Sequence, residues 1–475
     1  MSPSEQRRLH GGPDPEEEHV TSQEAPTAKE AGGPPEDRGT ASERTFHRLL
    51  ANSLASGVTS TFLWFALTFW VYIETRSVVA TGVIGGAFAI SAAILGPIVG
   101  TFVDRHRKTV AMQVSTGVAL VAFTIATAVF VSVGAGDLLR IDSPWFWVLI
   151  LSTLLGSVAG QMRSIALSTC VTLLIPEERR DRANGLVGTV TGVSFAMTSV
   201  FSGIVIGTLG MGWAYYSALV LTAAAFLHLR TIHIDEPEPD RSSSDSGGRF
   251  IDVRGAITAI RAVPGLAMLV LLAAFNNLLA GVFMALMDAY GLELVSVEAW
   301  GFLWGFLSLA FIAGGLAVAR FGLGPNPVRL ILTGNLVNWT ICVIFPLRSS
   351  IVLVAIGMLV WLSLTPVIEA AEQTVLQAAI PFERQGRVFG FAQLIENAAS
   401  PLTAFLMAPL AEAVFIPFMT DGRGVEWIGD WFGTGPDRGL ALMFTLAGLI
   451  GIVVTVLARW SRSYRRLSAA AGTAG

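Results

Sequence analysis

Ile175-Pro176-Glu177-Glu178-Arg179-Arg180-Asp181-Arg182-Ala183-Asn184-Gly185 and Ile380-Pro381-Phe382-Glu383-Arg384-Gln385-Gly386-Arg387-Val388-Phe389-Gly390 fit one pattern, I-P-x-E-R-x-x-R-x-x-G. Each stretch follows a long apolar run. A second matched pair keeps step with the first, since Gly100 to Arg105 (G-T-F-V-D-R) is echoed by Gly315 to Arg320 (G-L-A-V-A-R). One short match arises easily by chance in arginine-rich text; two in register imply that the second half of the chain repeats the first.

The runs between these loops have bilayer-spanning length. A hydrocarbon core takes about 20 apolar residues as a helix, and backbone in lipid must satisfy its own hydrogen bonds, so such runs are helices. Spans start near Ser53, Gly82, Thr109, Pro144, Ala183, Gly212, Gly265, Trp300, Val328, Ser350, Val388 and Gly439, which makes twelve. The composition agrees: 53% hydrophobic, 14% charged, mean hydropathy +0.62, where a soluble domain carries about a quarter charged residues. The fold class expected is an all-α multi-pass membrane protein with two six-helix bundles related by a pseudo-twofold.

Orientation follows from arginine and lysine, because short loops rich in them stay in the cytoplasm. Arg105, Arg107 and Lys108 follow span two, Arg179, Arg180 and Arg182 span four, and Arg254 and Arg261 lie between spans six and seven. Arg320 and Arg329, then Arg384 and Arg387, then Arg459, Arg462, Arg465 and Arg466 continue the series. Odd-numbered spans lead to loops with Arg76, Arg140, Arg348, Arg423 and Arg438, one or two apiece. A cell-membrane protein with both termini cytoplasmic is expected.

Residues 1–46 read as a disordered cytoplasmic tail, acidic and rich in Pro and Gly, without the basic start and short apolar stretch of a signal peptide. Residues 47–232 form the first bundle, 233–262 a cytoplasmic linker, 263–466 the second bundle and 467–475 a tail. Asp235 to Gly248, rich in Pro, Ser and Asp, marks the division. A net charge of −4 gives no sign of nucleic acid. The two cysteines, Cys170 and Cys342, lie inside spans and suggest packing, not a disulfide or a metal site.

A duplicated six-span half is the physical basis of alternating access, in which two bundles rock about a site near the membrane midplane. The chain resembles the major facilitator superfamily, and within it the drug:proton antiporters of the macrolide-efflux and tetracycline-efflux type. The resemblance runs from Arg44 to Arg466 and rests on Gly100-x-x-x-Asp104-Arg105-x-Arg107-Lys108, on Arg182-Ala183-Asn184-Gly185, and on Gly386-Arg387-Val388-Phe389-Gly390. It implies proton-coupled efflux of amphipathic small molecules by a monomer that needs no cofactor. Siderophore or metabolite exporters look much the same, and a non-transporting receptor could share the scaffold. The resemblance also implies that Gly100, Asp104 and Arg105 form a cytoplasmic gate. Read physically, Gly100 permits close helix approach, and Asp104 ends its helix where the dipole disfavours a carboxylate unless a neighbouring helix N-terminus or an arginine compensates.

Ionisable residues inside spans are costly and must face a cavity or a partner. Arg163 lies in span four, Asp288 toward the outer end of span seven, Glu369 and Glu372 in span ten and Glu396 in span eleven. Glu369 and Glu372 are three apart and share a helix face; two carboxylates in low dielectric resist both being ionised, which suits a proton carrier. Glu396 lies about 12 Å into its span at 1.5 Å per residue, deep enough to join them. Arg163 either pairs with such a carboxylate, holds an anionic substrate, or snorkels to the inner leaflet. Asn276 and Asn277, adjacent amides in lipid, need partners or a wet cavity and are candidate substrate contacts with Asp288. The stretch from Ile416 to Arg438 reads as a surface loop or a lid. The first span carries Ser56-Gly57-Val58-Thr59 where relatives of this type often have an acid, so coupling is expected to lie elsewhere or to be absent.

Other classes fit poorly. No G-x-x-x-x-G-K-[ST] phosphate loop is present, no glycine-rich carbonyl filter suggests a channel, and six histidines, five of them in tails or loops, form no catalytic or metal constellation.

Overall fold

A computed structural model describes residues 35–75, 84, 88, 91, 95–96, 98–140, 142–234, 236 and 253–472. Met1–Ala41 separate from Ser42–Gly475 as a unit of their own, and the account below concerns the larger unit. Most of span two from Gly82 onward, and most of the polar stretch Asp235 to Gly248, lie outside the described residues. No strand occurs among the described residues.

Span one lies in the helix Pro35–Thr75, span three in Lys108–Ser132, span four in Pro144–Leu174, span five in Arg180–Ile204 and span six in Met211–Arg230. Spans seven to twelve are Leu266–Leu294, Val297–Phe321, Pro327–Ile344, Ile351–Ala379, Gln385–Leu410 and Pro436–Trp460. Nine helices among the described residues are long and apolar enough to cross a membrane. Spans five and eleven are not among those nine. The first helix begins at Pro35, well before the expected start near Ser53 and inside the segment read as tail. The expected linker contains a helix of its own, Val253–Ala262, with Ala256, Ala259 and Ile260 buried.

Local chemistry explains the starts. Span four opens on Ser143, whose hydroxyl accepts from Trp145 N at 3.3 Å with Pro144 in the first turn, and span nine on Asn326, which accepts from Arg329 N at 2.9 Å ahead of Pro327. Both spare an orphan N–H at a helix end. The repeat extends to the backbone. Pro176 and Pro381 both sit at φ −54°, each leading into a one-turn 3-10 helix, Glu177–Arg179 and Phe382–Arg384. Spans five and eleven also both end in a π-helical turn, Val205–Leu209 and Ala411–Phe415.

The buried apolar side chains fall into three main clusters, and their membership shows how the halves meet. One contains Phe46, Val103, Ile175 and Ala183 from the first half together with Val318, Ile331, Ile380 and Phe389 from the second. It lies at the arginine-rich end. The other two are each confined to one half: Leu63, Leu67, Phe123 and Tyr215 in the first, Phe283, Tyr290, Trp339 and Phe444 in the second. Among the described residues the bundles therefore share a core at one end and keep separate cores at the other.

Two helix crossings make the shared end. Span two meets span eleven glycine on glycine: a Cβ on Gly100 would stand 3.1 Å from Gly390 Cα, and one on Gly390 would stand 2.7 Å from Gly96 O. Span five meets span eight through Gly185, against Val318 and Ala319, and Gly315, against Thr189. The matched positions of the two repeats thus pack against each other crosswise, both at the same end of the molecule.

Candidate functional site

At the first crossing Asp104 is buried, 8% exposed. Its Oδ1 accepts from Gly386 N at 2.6 Å, and its Oδ2 accepts from Arg387 N and Arg387 Nε, both at 2.9 Å. The carboxylate meets a helix N-terminus and an arginine together, the two compensations that its place at a helix end requires. Lys108 is also buried, donating from Nζ to Val103 O at 2.8 Å and lying 5.0 Å from the Phe382 ring.

The other crossing holds polar residues that the sequence reading did not single out. Asp181 Oδ2 accepts from Leu323 N at 2.9 Å, tying the start of span five to the end of span eight. Asn184 Nδ2 donates to Thr374 Oγ1 and Gln377 Oε1, each at 2.9 Å, and Gln377 Nε2 donates to Ser168 O at 2.9 Å. Glu236, from the linker, accepts from Lys108 N and from Thr109 N and Oγ1, capping span three. Only spatial neighbours reveal these roles. The matched asparagine-for-phenylalanine difference between Asn184 and Phe389 was the one available signal.

The second half holds a cavity of about 130 Å³ whose lining includes Asn276, Asn277, Asn335, Asn338, Glu369 and Glu372. The structure thus brings the asparagine pair and the span-ten glutamates together. Glu372 lies within electrostatic reach of Glu396 and Glu369, so the three carboxylates form one group. Glu369 lines this cavity with its side chain exposed. Asn276 Oδ1 accepts from Trp339 Nε1 at 3.1 Å, and Asn277 Nδ2 donates to Ala273 O at 3.1 Å. Asn335 Nδ2 and Asn338 Oδ1, unforeseen from sequence, are buried without a hydrogen-bond partner among the described residues, an unmet need beside this cavity.

A larger apolar cavity of about 340 Å³ adjoins it through Ala280 and Trp361, with Phe283, Met284, Met287 and Trp304 in its wall. Asp288 lines it and accepts from the indoles of Trp300 and Trp304 at 2.9 and 3.1 Å. In the first half a cavity of about 390 Å³ is lined by Ser53, Ser56, Trp64, Phe65, Arg163 and Ser194, among others.

Arg163 corrects one expectation. It neither snorkels nor pairs with a carboxylate: 4% exposed, it donates from Nη1 to Thr116 Oγ1 at 2.8 Å and from Nη2 to Asn52 Oδ1. Span four is flanked here by spans one and three of its own half, which supply neutral acceptors. A second correction concerns Ile416 to Arg438. It is a folded cap, with helices Ile416–Thr420 and Arg423–Phe432. Arg438, 2% exposed, holds it by donating to Pro346 O (2.9 Å), Phe432 O (3.2 Å), Tyr290 Oη (2.9 Å) and Asp437 Oδ2 (3.0 Å). Trp427 and Trp431, one turn apart, remain exposed.

Two like helical halves that share an apolar core at one end, each with a cavity inside it, define a multi-pass membrane transporter. Residues 49–404 match the Major Facilitator Superfamily, and the chain belongs to that superfamily. It is similar to macrolide efflux protein A of Streptococcus pyogenes, 21% identical over 383 residues that cover 78% of this chain and 90% of the relative. Among solved structures it is similar in fold to a bacterial homologue of the iron transporter ferroportin, with TM-score 0.65, 16% identity, and coverage of 88% of this chain and 100% of that one. The human organic anion transporter MFSD10 gives TM-score 0.59 at 15% identity, covering 89% of this chain and 100% of that one.

Proposed function

We propose that the protein is a proton-coupled exporter of amphipathic small molecules, seated in the cell membrane with both termini in the cytoplasm and acting as a monomer by alternating access. The observation that carries the reading is the sharing of one apolar core by both halves at the arginine-rich end while their cores stay separate at the other. Arginine-rich loops stay cytoplasmic, so this shape is the outward-open one, with Gly100, Asp104 and Arg105 in the cytoplasmic gate and residues 47–232 rocking against 263–466. Glu369, Glu372 and Glu396 carry the proton, since carboxylates clustered inside a bundle resist all being ionised and such residues mark proton relays. The apolar cavity beside them accepts the body of the cargo. The similarity to a macrolide efflux protein supports drugs of that kind as cargo.

The test is the accumulation of a macrolide and of ethidium in cells lacking other pumps, with and without a protonophore. Expression should lower accumulation, and collapse of the proton gradient should restore it. Equal accumulation with and without the protein in an energised cell would remove the efflux reading; efflux that survives the protonophore would remove proton coupling.

A further inference from the structure

Ser53 Oγ, Trp64 Nε1 and Arg163 Nε, three of the four buried polar atoms of the first half that lack a hydrogen-bond partner among the described residues (Thr172 Oγ1 is the fourth), lie close together. All three residues line the same cavity of about 390 Å³. The two nitrogens are donors only, and the hydroxyl can donate as well, so this wall has a surplus of donors. Arg163 adds a positive charge whose named partners, Thr116 and Asn52, are neutral. Among the described residues no carboxylate lies within ion-pair distance of it. A buried guanidinium of this kind is under-compensated, and an anion brought into the cavity supplies what the protein does not. The opposite half has the reverse character, with Glu369 and Glu372 lining its cavity. Further hydroxyls, from Ser56, Ser60 and Ser194, line the first-half cavity and can complete the shell of an oxyanion.

We infer that the first-half cavity is a subsite for an oxyanion, a carboxylate foremost, carried on an aromatic or otherwise apolar small molecule. Arg163 supplies the charge, Ser53 and Trp64 supply donors, and the Trp64 and Phe65 rings supply the apolar wall. The inference rests on the transporter reading only in naming that molecule as cargo.

The test is calorimetry on the full-length protein in lipid nanodiscs, at one pH and without a gradient, using naphthalene-2-carboxylate and its neutral twin naphthalene-2-carboxamide. The acid should bind at least about tenfold more tightly than the amide, as expected where a charge-assisted contact replaces a neutral one. Arg163→Gln should bring the two within about twofold of each other, and Arg163→Lys should keep part of the preference. Trp64→Phe, which needs no change at the arginine, should lower tryptophan-to-naphthyl energy transfer. Equal binding of acid and amide by the unaltered protein, no binding of the acid, a preference that survives Arg163→Gln, or energy transfer unchanged in Trp64→Phe overturns the inference. Because binding is read without transport, an anion preference in a protein that exports nothing would overturn the exporter reading and leave the subsite standing.

Discussion

Asp104 and Arg387, 283 residues apart, join the two halves through a buried ion pair at 2.9 Å, with the Arg387 and Gly386 backbone N–H groups completing the carboxylate's shell. The Asp104 side chain is only 1% exposed there, so the pair is little screened by solvent. Its bonds exist only while the arginine-rich ends touch. Asp104 therefore contributes to the balance between two shapes as well as to the stability of one.

Asp104→Asn keeps the volume, but it gives up the ion pair and must turn an NH2 toward a donor. Hydrogen bonds to charged groups contribute about 1.5–3 kcal/mol each, and 1.4 kcal/mol is about tenfold in a population. The share of molecules closed at this end should fall by about tenfold or more. Spin labels at His106 and Glu383, both exposed, read the separation directly; an unchanged distance distribution would refute the assignment.

Gly390→Ala tests the crossing by shape alone. The new methyl would meet Gly96 O at 2.7 Å and Gly100 Cα at 2.9 Å, backbone atoms that cannot rotate away. Overpacking of this kind costs about 1–3 kcal/mol, charged here to the closed shape. The variant should express normally and show the same spin-label separation as Asp104→Asn. Normal transport would show that the helices yield.

Glu372→Gln and Glu396→Gln should each lower gradient-driven efflux by about tenfold or more while leaving gradient-independent exchange of substrate across vesicles intact, because the amide keeps the shape and cannot carry the proton. If both retain gradient-driven efflux, the carboxylate group is not the coupling site.

Arg438→Met should act on stability. The change abandons four hydrogen bonds and leaves Asp437 beside a buried methionine, at a cost of about 3 kcal/mol. Thermal unfolding of the detergent-solubilised protein should fall markedly. Arg140→Gln, which breaks the exposed pair with Asp142, should leave it unchanged. Equal effects of the two changes would mean that the cap is not held by Arg438.

Much of this architecture was legible from residues alone because its signals are local. Apolar length defined the spans, the I-P-x-E-R pattern located two loops with the same proline backbone, and the position of Asp104 at a helix end required a partner of the kind it has. The site was legible in part. Glu369, Glu372, Asn276 and Asn277 stood out because polar groups in lipid are rare, and they do share a cavity. Asn335 and Asn338 share it too and were passed over, although the same argument about amides in lipid applies to them. Asp181 and Glu236 were lost among loop charges, since capping a helix is decided by which helix end folds beside them. Arg163 was noticed as a charge in a span, but the neutral partners that hold it come from spans one and three and could not be read from the sequence.

The two fastenings at the arginine-rich end do not obey the duplication that produced them. Where the first half has Asp104 the repeat has Ala319, and where the first half has Asp181 the repeat has Gly386. Both acids therefore belong to the first half, and both receive backbone N–H groups from the second. The ancestral pieces have become plug and socket. Severed and co-expressed, they could close only as a heterologous couple, for two copies of the second piece would bring no acid to the joint and two of the first would set carboxylate against carboxylate.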